Sequence, residues 1–181
     1  MNKIDINHKN AKNEIIFHNA CHSGNINLIK YLLSIGKFDI NMVDGNKQTP
    51  LFHAIKEMSF LAVRYLANLE NINLEARDNF YRTYLHTAIE FNDNVFNYLF
   101  ALKKIPLNER DNDNRTLLHY AVDRNNLSIV KQLITLSELD ALDKDINGMN
   151  IFHIACKSGY IDIIKKIISM RFITYLFDLI F

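Results

Sequence analysis

Apolar residues recur along this chain in short blocks at helical spacing, and polar segments separate the blocks. One block consists of Leu28, Ile29, Leu32 and Leu33, which would share one face of a helix. Comparable blocks follow at Val63 and Leu66, at Ile129, Val130, Leu133 and Ile134, and at Ile163, Ile164, Ile167 and Ile168. The pattern predicts short amphipathic helices along most of the chain.

A six-residue stretch that ends in alanine precedes each of these blocks and occurs five times. The final alanines are at positions 20, 54, 88, 121 and 155, so the repeat intervals are 34, 34, 33 and 34 residues. The stretches are Ile15-Ile16-Phe17-His18-Asn19-Ala20, Thr49-Pro50-Leu51-Phe52-His53-Ala54, Thr83-Tyr84-Leu85-His86-Thr87-Ala88, Thr116-Leu117-Leu118-His119-Tyr120-Ala121 and Asn150-Ile151-Phe152-His153-Ile154-Ala155. Five copies in one register indicate an array of structural repeats.

The position four residues after each alanine is where two helices of one repeat would be joined. It holds Gly24, Met58, Asn92, Asn125 and Gly159. Glycine and asparagine tolerate the left-handed conformation that ends a helix, so a tight turn is expected here. Met58 departs from this preference and leaves the geometry of the second turn open. In the third repeat the apolar block at Val95 and Phe96 arrives one residue early, which predicts a shorter turn.

Polar residues ahead of each stretch predict a second kind of turn. An acid lies five residues before the stretch in four repeats and is expected to stabilise that turn: Asp44, Asp78, Asp111 and Asp145. The threonine that opens three stretches is expected to cap the following helix by accepting a backbone N–H: Thr49, Thr83 and Thr116. Since one short helix pair cannot bury its apolar face alone, the repeats must stack.

These stretches resemble the ankyrin repeat, whose signature T-P-L-H-x-A lies in a unit of about 33 residues. The resemblance implies an all-α solenoid of stacked helix–turn–helix units with projecting β-turn fingers. Residues 14–171 would form the repeat domain, with units that start near residues 14, 48, 82, 115 and 149, and residues 1–13 would be the tail of a partial repeat. The chain departs from the signature at Ile15-Ile16, at Phe52 in the histidine position, and at Asn150 in place of threonine.

Both ends of the chain differ from a complete repeat. Residues 4–7 match residues 38–41, the closing segment of a unit, as if a preceding repeat had been cut away. Residues 172–181 are almost wholly apolar, and three interpretations stay open: a cap that folds back, the product of a truncation, or a membrane anchor. The anchor is the least favoured, because Lys165, Lys166 and Arg171 interrupt the approach to the apolar segment.

The seven histidines raise the question of metal or catalytic chemistry. Four of them occupy one repeat position: His18, His86, His119 and His153. Stacked units would place them roughly 10 Å apart, which is too far for one shared metal ion. The resemblance implies instead that they hydrogen-bond the threonine position and the neighbouring finger. His22 and His53 occupy other positions and are expected on the surface.

Other chemical motifs do not occur in the sequence. Cys21 and Cys156 follow the repeat alanine four units apart, so they are expected to be small buried packing residues that cannot form a disulfide. The chain has no glycine-rich phosphate loop, no Cys-x-x-Cys pair and no nucleophile elbow. The sequence therefore predicts no enzyme and no catalytic, cofactor-binding or metal site.

Composition and charge limit the choice of partner. Hydrophobic residues make up 49% of the 181 residues, enough for a folded core. The 21 Lys and Arg residues against 20 Asp and Glu residues give a net charge of +1, which does not favour nucleic acid. The polar first residues do not form a signal peptide. We therefore expect a cytoplasmic monomer with a protein partner and no nucleic-acid or small-molecule partner.

The variable positions of the repeats predict where that partner would bind. The finger tips and the first-helix position between histidine and alanine, which holds Asn19, His53, Thr87, Tyr120 and Ile154, are expected to face outward. Tyrosine and arginine are common in interface hot spots, so the predicted partner-binding residues are Phe80, Tyr81, Arg82, Asn114, Arg115, Tyr120 and Arg124. Phe80 and Tyr81 could instead pack between fingers. The favoured function is a protein-binding module, and the alternative is a spacing segment of a larger array or multidomain protein.

Overall fold

The predicted helices are present, and the first helix of each repeat begins one residue after its repeat stretch begins. The computed structural model of the protein describes residues 6–36 and 38–180, with side chains as far as Met170. These residues form ten helices and no strand, which confirms the all-α fold. The helices are α1 (Ile16–His22), α2 (Ile26–Ser34), α3 (Pro50–Lys56), α4 (Phe60–Leu66), α5 (Tyr84–Phe91), α6 (Asp93–Ala101), α7 (Leu117–Asp123), α8 (Leu127–Leu133), α9 (Ile151–Ser158) and α10 (Ile161–Ile180).

Contacts divide the chain into two compact units: unit 1 ends at Pro106 and unit 2 begins at Leu107. In unit 1, α1 packs against α3 and α3 against α5, while α2 packs against α4 and α4 against α6. In unit 2, α7 packs against α9 and α8 against α10. Each unit is therefore a stack of helix pairs with one layer of first helices and one of second helices. The single repeat domain over residues 14–171 stays a prediction.

The small repeat residues allow these helices to pack closely. All five repeat alanines are buried: Ala20, Ala54, Ala88, Ala121 and Ala155. Around them the side chains of the stretches and of the apolar blocks form the core, as Leu51, Leu85 and Leu118 illustrate. A larger side chain at an alanine position would force neighbouring helices apart in an interior that has little free volume.

The second predicted turn is a finger, and it recurs with one hydrogen-bond pattern. In the finger of residues 44–48, Asp44 accepts the Lys47 N–H at its carbonyl and donates its own N–H to the Gln48 carbonyl, while Asp44 Oδ1 accepts the N–H groups of Asn46 and Gln48. The same pattern occurs around the other three aspartates, at residues 78–82, 111–115 and 145–149. The predicted role of these acids in stabilising turns is confirmed.

A further finger, at residues 10–14, lies ahead of the first stretch, where the sequence analysis predicted only the tail of a partial repeat. Asn10 takes the aspartate position, and its Oδ1 accepts the N–H groups of Lys12 and Glu14. Asparagine was not recognised there because the pattern was defined by an acid, but its amide oxygen accepts the same two bonds. Each finger has one residue with φ between 56° and 74°: Asn13, Lys47, Tyr81, Asn114 and Gly148.

The turns between paired helices follow the prediction, including at the position that the sequence left open. Gly24, Asn125 and Gly159 have positive φ, and Met58 adopts the same conformation with φ of 55°. The second turn therefore keeps the geometry of the others despite its unfavourable residue. The third turn is shorter, as predicted, because Asn92 is the one residue between α5 and α6 and its side chain caps α6.

Gly24 is the turn residue for which substitution should cost most. Its φ is +64°, and a Cβ atom there would lie 2.9 Å from Ser59 Cβ. We expect Gly24→Ala to lower the free energy of unfolding by about 2–3 kcal/mol, the sum of backbone strain and overpacking. Gly36, with φ of +55° and open space around it, is the matched control, and Gly36→Ala should cost only about 1 kcal/mol. Urea unfolding of both variants measures the difference, and equal losses would contradict the role of the Ser59 contact.

The cap predicted at Thr49 is wrong. Thr49 makes no side-chain hydrogen bond to its helix, and its Oγ1 lies 2.6 Å from the Tyr84 hydroxyl instead. Thr83 does accept the His86 N–H at Oγ1, at 3.5 Å, as predicted. The Oγ1 atoms of Thr83 and Thr116 contact the Nδ1 atom of the repeat histidine three residues later, at 3.0 and 2.8 Å. In the second repeat that histidine is replaced by Phe52, which offers no nitrogen, so the hydroxyl turns to another partner.

The remaining expectations from the sequence have mixed outcomes. Cys21 is buried, and burial raises the pKa of its thiol to about 12, but Cys156 is exposed, so its expected packing role is wrong. The backbone of α10 continues through the apolar tail to Ile180. The side chains of residues 171–181 and the partial-repeat residues 4 and 5 lie outside the described part of the chain, so the interpretations of both ends stay predictions.

Candidate protein-binding surfaces

The third finger, residues 78–82, presents two aromatic side chains at its tip. Phe80 is 59% exposed and Tyr81 is 53% exposed, so neither has the buried packing role considered as an alternative. The Arg82 guanidinium lies 5.0 Å from the centre of the Phe80 ring, and the Arg77 guanidinium lies 4.9 Å from that of Tyr81. These cation–π contacts orient both rings on the finger surface.

Arg82 belongs to the base of the finger more than to its surface. Its side chain is only 15% exposed. Nε and Nη2 donate to Asp78 Oδ2 at 2.9 and 2.7 Å, and Nη1 donates to Glu90 Oε2 at 3.0 Å. Asp78 is fully buried and also accepts a hydrogen bond from Gln48 Nε2 at 3.3 Å. Arg82 therefore holds Phe80 in place, and its capacity to contact a partner directly is small.

Unit 2 carries the other predicted residues on the finger of residues 111–115 and on α7. Asn114 is exposed, and its Nδ2 donates to the Lys144 carbonyl at 2.6 Å. Arg115 pairs with Asp123, and its guanidinium lies 4.7 Å from the centre of the Tyr120 ring. Tyr120 is half-buried, and Arg124 is exposed at the end of α7. The structure therefore groups Arg115 with Tyr120 in direct contact.

The position between histidine and alanine was expected to face outward, and this expectation is wrong for three of its five residues. His53, Thr87 and Ile154 are buried, Tyr120 is half-buried and only Asn19 is exposed. Hydrogen bonds to the finger aspartate explain the burial of the two long polar side chains at this position, His53 and Tyr120. His53 Nε2 lies 3.1 Å from Asp44 Oδ2, and the Tyr120 hydroxyl donates to Asp111 Oδ2 at 2.7 Å. The position lies over the base of its own finger.

A usable sequence signal for this contact existed. His53 and Tyr120 each follow the finger aspartate by nine residues, at the helix position that was expected to face outward. The Oδ1 atom of the finger aspartate accepts the hydrogen bonds of the turn, so Oδ2 needs a donor of its own. A buried carboxylate oxygen without a donor lowers the stability of the fold. A donor nine residues later satisfies this need in two repeats, and Arg82 satisfies it in the third.

In two repeats the histidine connects the first helix to the next finger. His18 Nδ1 accepts the Ile15 N–H at 3.2 Å, and Nε2 lies 3.2 Å from the Gln48 carbonyl oxygen. His119 repeats this with the Thr116 N–H at 3.2 Å and the Met149 carbonyl oxygen at 3.1 Å. The structural role implied by the resemblance is thus confirmed at both positions. The geometry requires a neutral ring that accepts at Nδ1 and donates at Nε2.

Burial lowers the pKa of His119 below its ordinary value, and it does the same for His18 and His53. Because the unfolded chain then binds more protons than the folded one, stability should fall as the pH drops below about 6.5. Each such histidine can contribute up to about 1.4 kcal/mol per pH unit. Urea unfolding at pH 7.5 and 5.5 measures the effect, and His119→Asn should reduce the pH dependence. A free energy of unfolding that is constant between these pH values would contradict this role.

The fingers, helix pairs and histidine ties are features of a known family. A family model described as ankyrin repeats matches the chain three times, at residues 1–78, 17–111 and 85–174. The chain belongs to the ankyrin-repeat family. No curated protein matches this sequence. Ankyrin repeats are typically non-catalytic and generally act in protein–protein interaction, which agrees with the class of function predicted from the sequence.

The ankyrin-repeat signature does not account for a further set of exposed apolar residues on the second helices of unit 1. Tyr31 of α2 and Leu61 of α4 are each more than 60% exposed, and Ile35 at the end of α2 is 50% exposed. None of these three residues belongs to an apolar block of the repeat, so the block pattern makes no prediction for them. Over the described residues, the structure contains no helix that is long and apolar enough to span a membrane.

Proposed function

We propose that this ankyrin-repeat chain is a non-catalytic module that binds another protein through its fingers and first helices. The observation that supports this most is the pair of aromatic side chains, Phe80 and Tyr81, on the third finger. Both rings are more than half exposed, and both are oriented by arginine side chains. Aromatic residues that are already ordered lose little entropy on binding, which favours them as interface anchors.

Unit 2 offers a second contact surface for such a partner, formed by Asn114, Arg115, Tyr120 and Arg124. Its finger residue Asn114 is tied to the Lys144 carbonyl, and Arg115 is held against both Asp123 and the Tyr120 ring. The side chains are therefore ordered, while Arg124 presents an exposed positive charge. This combination suits a partner surface that carries carboxylate groups beside an apolar patch.

The wider setting that we propose is a cytoplasmic monomer with no nucleic-acid or small-molecule partner. The near-zero net charge supports this because nucleic-acid binding requires a basic face. Both cysteines are free thiols, which is typical of a reducing compartment.

The test compares affinity capture by three forms of the chain from a lysate of the source cells. The finger variant combines Phe80→Ala with Tyr81→Asn, because asparagine already occupies the equivalent positive-φ position at Asn114. The control variant combines Tyr31→Gln with Leu61→Gln, which removes similar exposed apolar area from the second helices. Circular dichroism first establishes that all three forms melt alike.

We expect one protein to be captured by the wild type and the control variant and to be depleted about tenfold or more with the finger variant, the loss of one hot-spot residue being worth at least about 1.4 kcal/mol. Equal capture by the finger variant would refute the assignment of the surface to the third finger. Failure of the wild type to retain any protein would refute the binding module and favour the alternative of a spacing segment.

A further inference from the structure

A cluster of side chains at the base of the second finger includes none of the residues assigned to the proposed binding surfaces. Glu14, Asp44 and His53 come from the first finger, the second finger and α3, and each places one potential ligand atom within 4.8 Å of the others. Asp44 and His53 are buried, and Glu14 is half-buried. His53 Nε2 and Asp44 Oδ2 are already 3.1 Å apart. Three residues distant in sequence therefore bring two carboxylates and one imidazole together.

The charge of this cluster is unusual among the fingers of unit 1. In the third finger, the buried Asp78 carboxylate pairs with the Arg82 guanidinium at 2.7 Å. In the second finger, the described residues place no lysine or arginine side chain in an ion pair with Glu14 or Asp44. Two carboxylates close together in a partly buried setting repel each other unless a positive charge lies between them. A bound cation would supply that charge.

The carboxylates are held by neighbouring groups in the manner of metal ligands. Asp44 Oδ1 accepts the N–H groups of Asn46 and Gln48 at 2.7 and 2.8 Å, which leaves Oδ2 directed toward His53. Glu14 Oε2 accepts from Asn10 Nδ2 at 2.7 Å. Hydrogen bonds of this kind fix the orientation of metal-ligating carboxylates and are part of a well-formed site.

Two neighbouring histidines do not complete the cluster. The His18 ring lies 5.2 Å from the His53 ring, but its Nδ1 and Nε2 are committed to the Ile15 N–H and the Gln48 carbonyl. His22 lies 6.2 Å from His53, is exposed and pairs with Glu57 at 2.9 Å. His18 instead forms one wall of the cluster, and His22 provides a nearby histidine against which the site can be tested.

We propose that Glu14, Asp44 and His53 bind one divalent transition-metal ion of the zinc class. Zinc accepts imidazole nitrogen and carboxylate oxygen together, whereas calcium and magnesium prefer sites built from oxygen alone. Bonds of about 2.1 Å in a tetrahedral site place ligand atoms about 3.4 Å apart. Glu14 keeps Oε2 on Asn10 Nδ2 and closes the remaining gap with its other carboxylate oxygen by a small rotation about that hydrogen bond, and a water molecule takes the fourth position. The ion replaces the hydrogen bond between His53 Nε2 and Asp44 Oδ2, the imidazole proton moves to Nδ1, and the ion joins the first finger to the second finger and to α3.

The experiment titrates the chelator-treated full chain with Zn²⁺ in competition with a chromophoric chelator. The test variants are Glu14→Gln and His53→Gln, of which Glu14→Gln keeps a carbonyl oxygen for Asn10 and leaves the Asp44–His53 contact in place. The matched control is His22→Gln, which removes the neighbouring exposed histidine. Thermal melting of each form with and without Zn²⁺ provides a second readout.

We expect the wild type and His22→Gln to bind one equivalent of Zn²⁺ with equal affinity and to melt at a higher temperature when it is bound. Glu14→Gln and His53→Gln should bind at least about tenfold more weakly and gain little melting temperature, since loss of even an indirect partner of a metal ligand costs tenfold or more. The proposal is overturned if the wild type binds no Zn²⁺, if Glu14→Gln binds as tightly as the wild type, or if His22→Gln loses the site.

Discussion

Replacing Tyr84 by alanine should lower the free energy of unfolding by about 3–5 kcal/mol, the usual cost of removing a buried aromatic ring. Tyr84 is fully buried at the start of α5, and its ring centre lies 4.3 Å from that of Phe52 on α3. Its hydroxyl contacts Thr49 Oγ1 at 2.6 Å and donates to the Asn73 carbonyl at 3.2 Å. One side chain thus links two neighbouring repeats by both packing and hydrogen bonding.

The two contributions of Tyr84 can be separated by urea unfolding. Tyr84→Phe keeps the ring and removes the hydroxyl, so it should cost about 1–3 kcal/mol through the unsatisfied buried partners. Tyr31→Phe is the control, because Tyr31 is 64% exposed and loss of its hydroxyl should change the free energy by less than about 0.5 kcal/mol. If Tyr84→Phe is as stable as the wild type, the contact with Thr49 contributes nothing to the link between repeats.

Replacing Asp78 by alanine should also cost about 3–5 kcal/mol, because it breaks a buried ion pair from one side. The carboxylate accepts the N–H groups of Phe80 and Arg82 and two bonds from the Arg82 guanidinium. Its removal leaves these donors buried without their carboxylate, although Glu90 still pairs with Arg82. The third finger should then lose its fixed turn, and the orientation of Phe80 and Tyr81 with it.

Asp145 provides the matched control for this prediction. It occupies the same repeat position and accepts the N–H groups of Asn147 and Met149, but it is less buried, and its carboxylate makes no ion pair in the described part of the chain. Asp145→Ala should therefore cost only about 1–2 kcal/mol, the value of two turn hydrogen bonds at a half-buried carboxylate. Urea unfolding compares the two variants, and equal losses would show that the Arg82 contact adds no stability.

The repeat register could be predicted from the sequence because it rests on local interactions. The spacing of the alanines, the apolar blocks and the finger aspartates requires no knowledge of contacts far along the chain. Asp44 illustrates this: its hydrogen bonds to Asn46 and Gln48 span only two and four residues. The one-residue turn at Asn92 was likewise visible as an apolar block that arrives early. Where a residue interacts within its own turn, the residue type alone identifies its role.

The departures from the signature could not be interpreted in that way, because their compensation comes from contacts beyond the residue's own turn. In the sequence, Phe52 indicates only the loss of the repeat histidine. In the structure, Phe52 packs on Tyr84, and the Tyr84 hydroxyl contacts the Thr49 side chain that has no histidine partner. Met58 read as an unfavourable turn residue, yet it adopts the left-handed conformation because packing of α3 and α4 fixes the turn around it. In both cases tertiary contacts outweigh local preference.

The same distinction between local and tertiary interactions applies to the candidate sites. The sequence by itself determined the fold and four of the five described finger positions, since these follow from local pattern, and it identified Phe80 and Tyr81 as finger residues whose exposure stayed open. Only the tertiary structure decided that Arg82 supports the finger from below and that His53 is buried beside Asp44 and Glu14. These roles depend on donors and acceptors that meet across two or three elements. Packing sets the distances between such atoms, and the only part of them visible as a spacing along the chain is the nine-residue interval from Asp44 to His53.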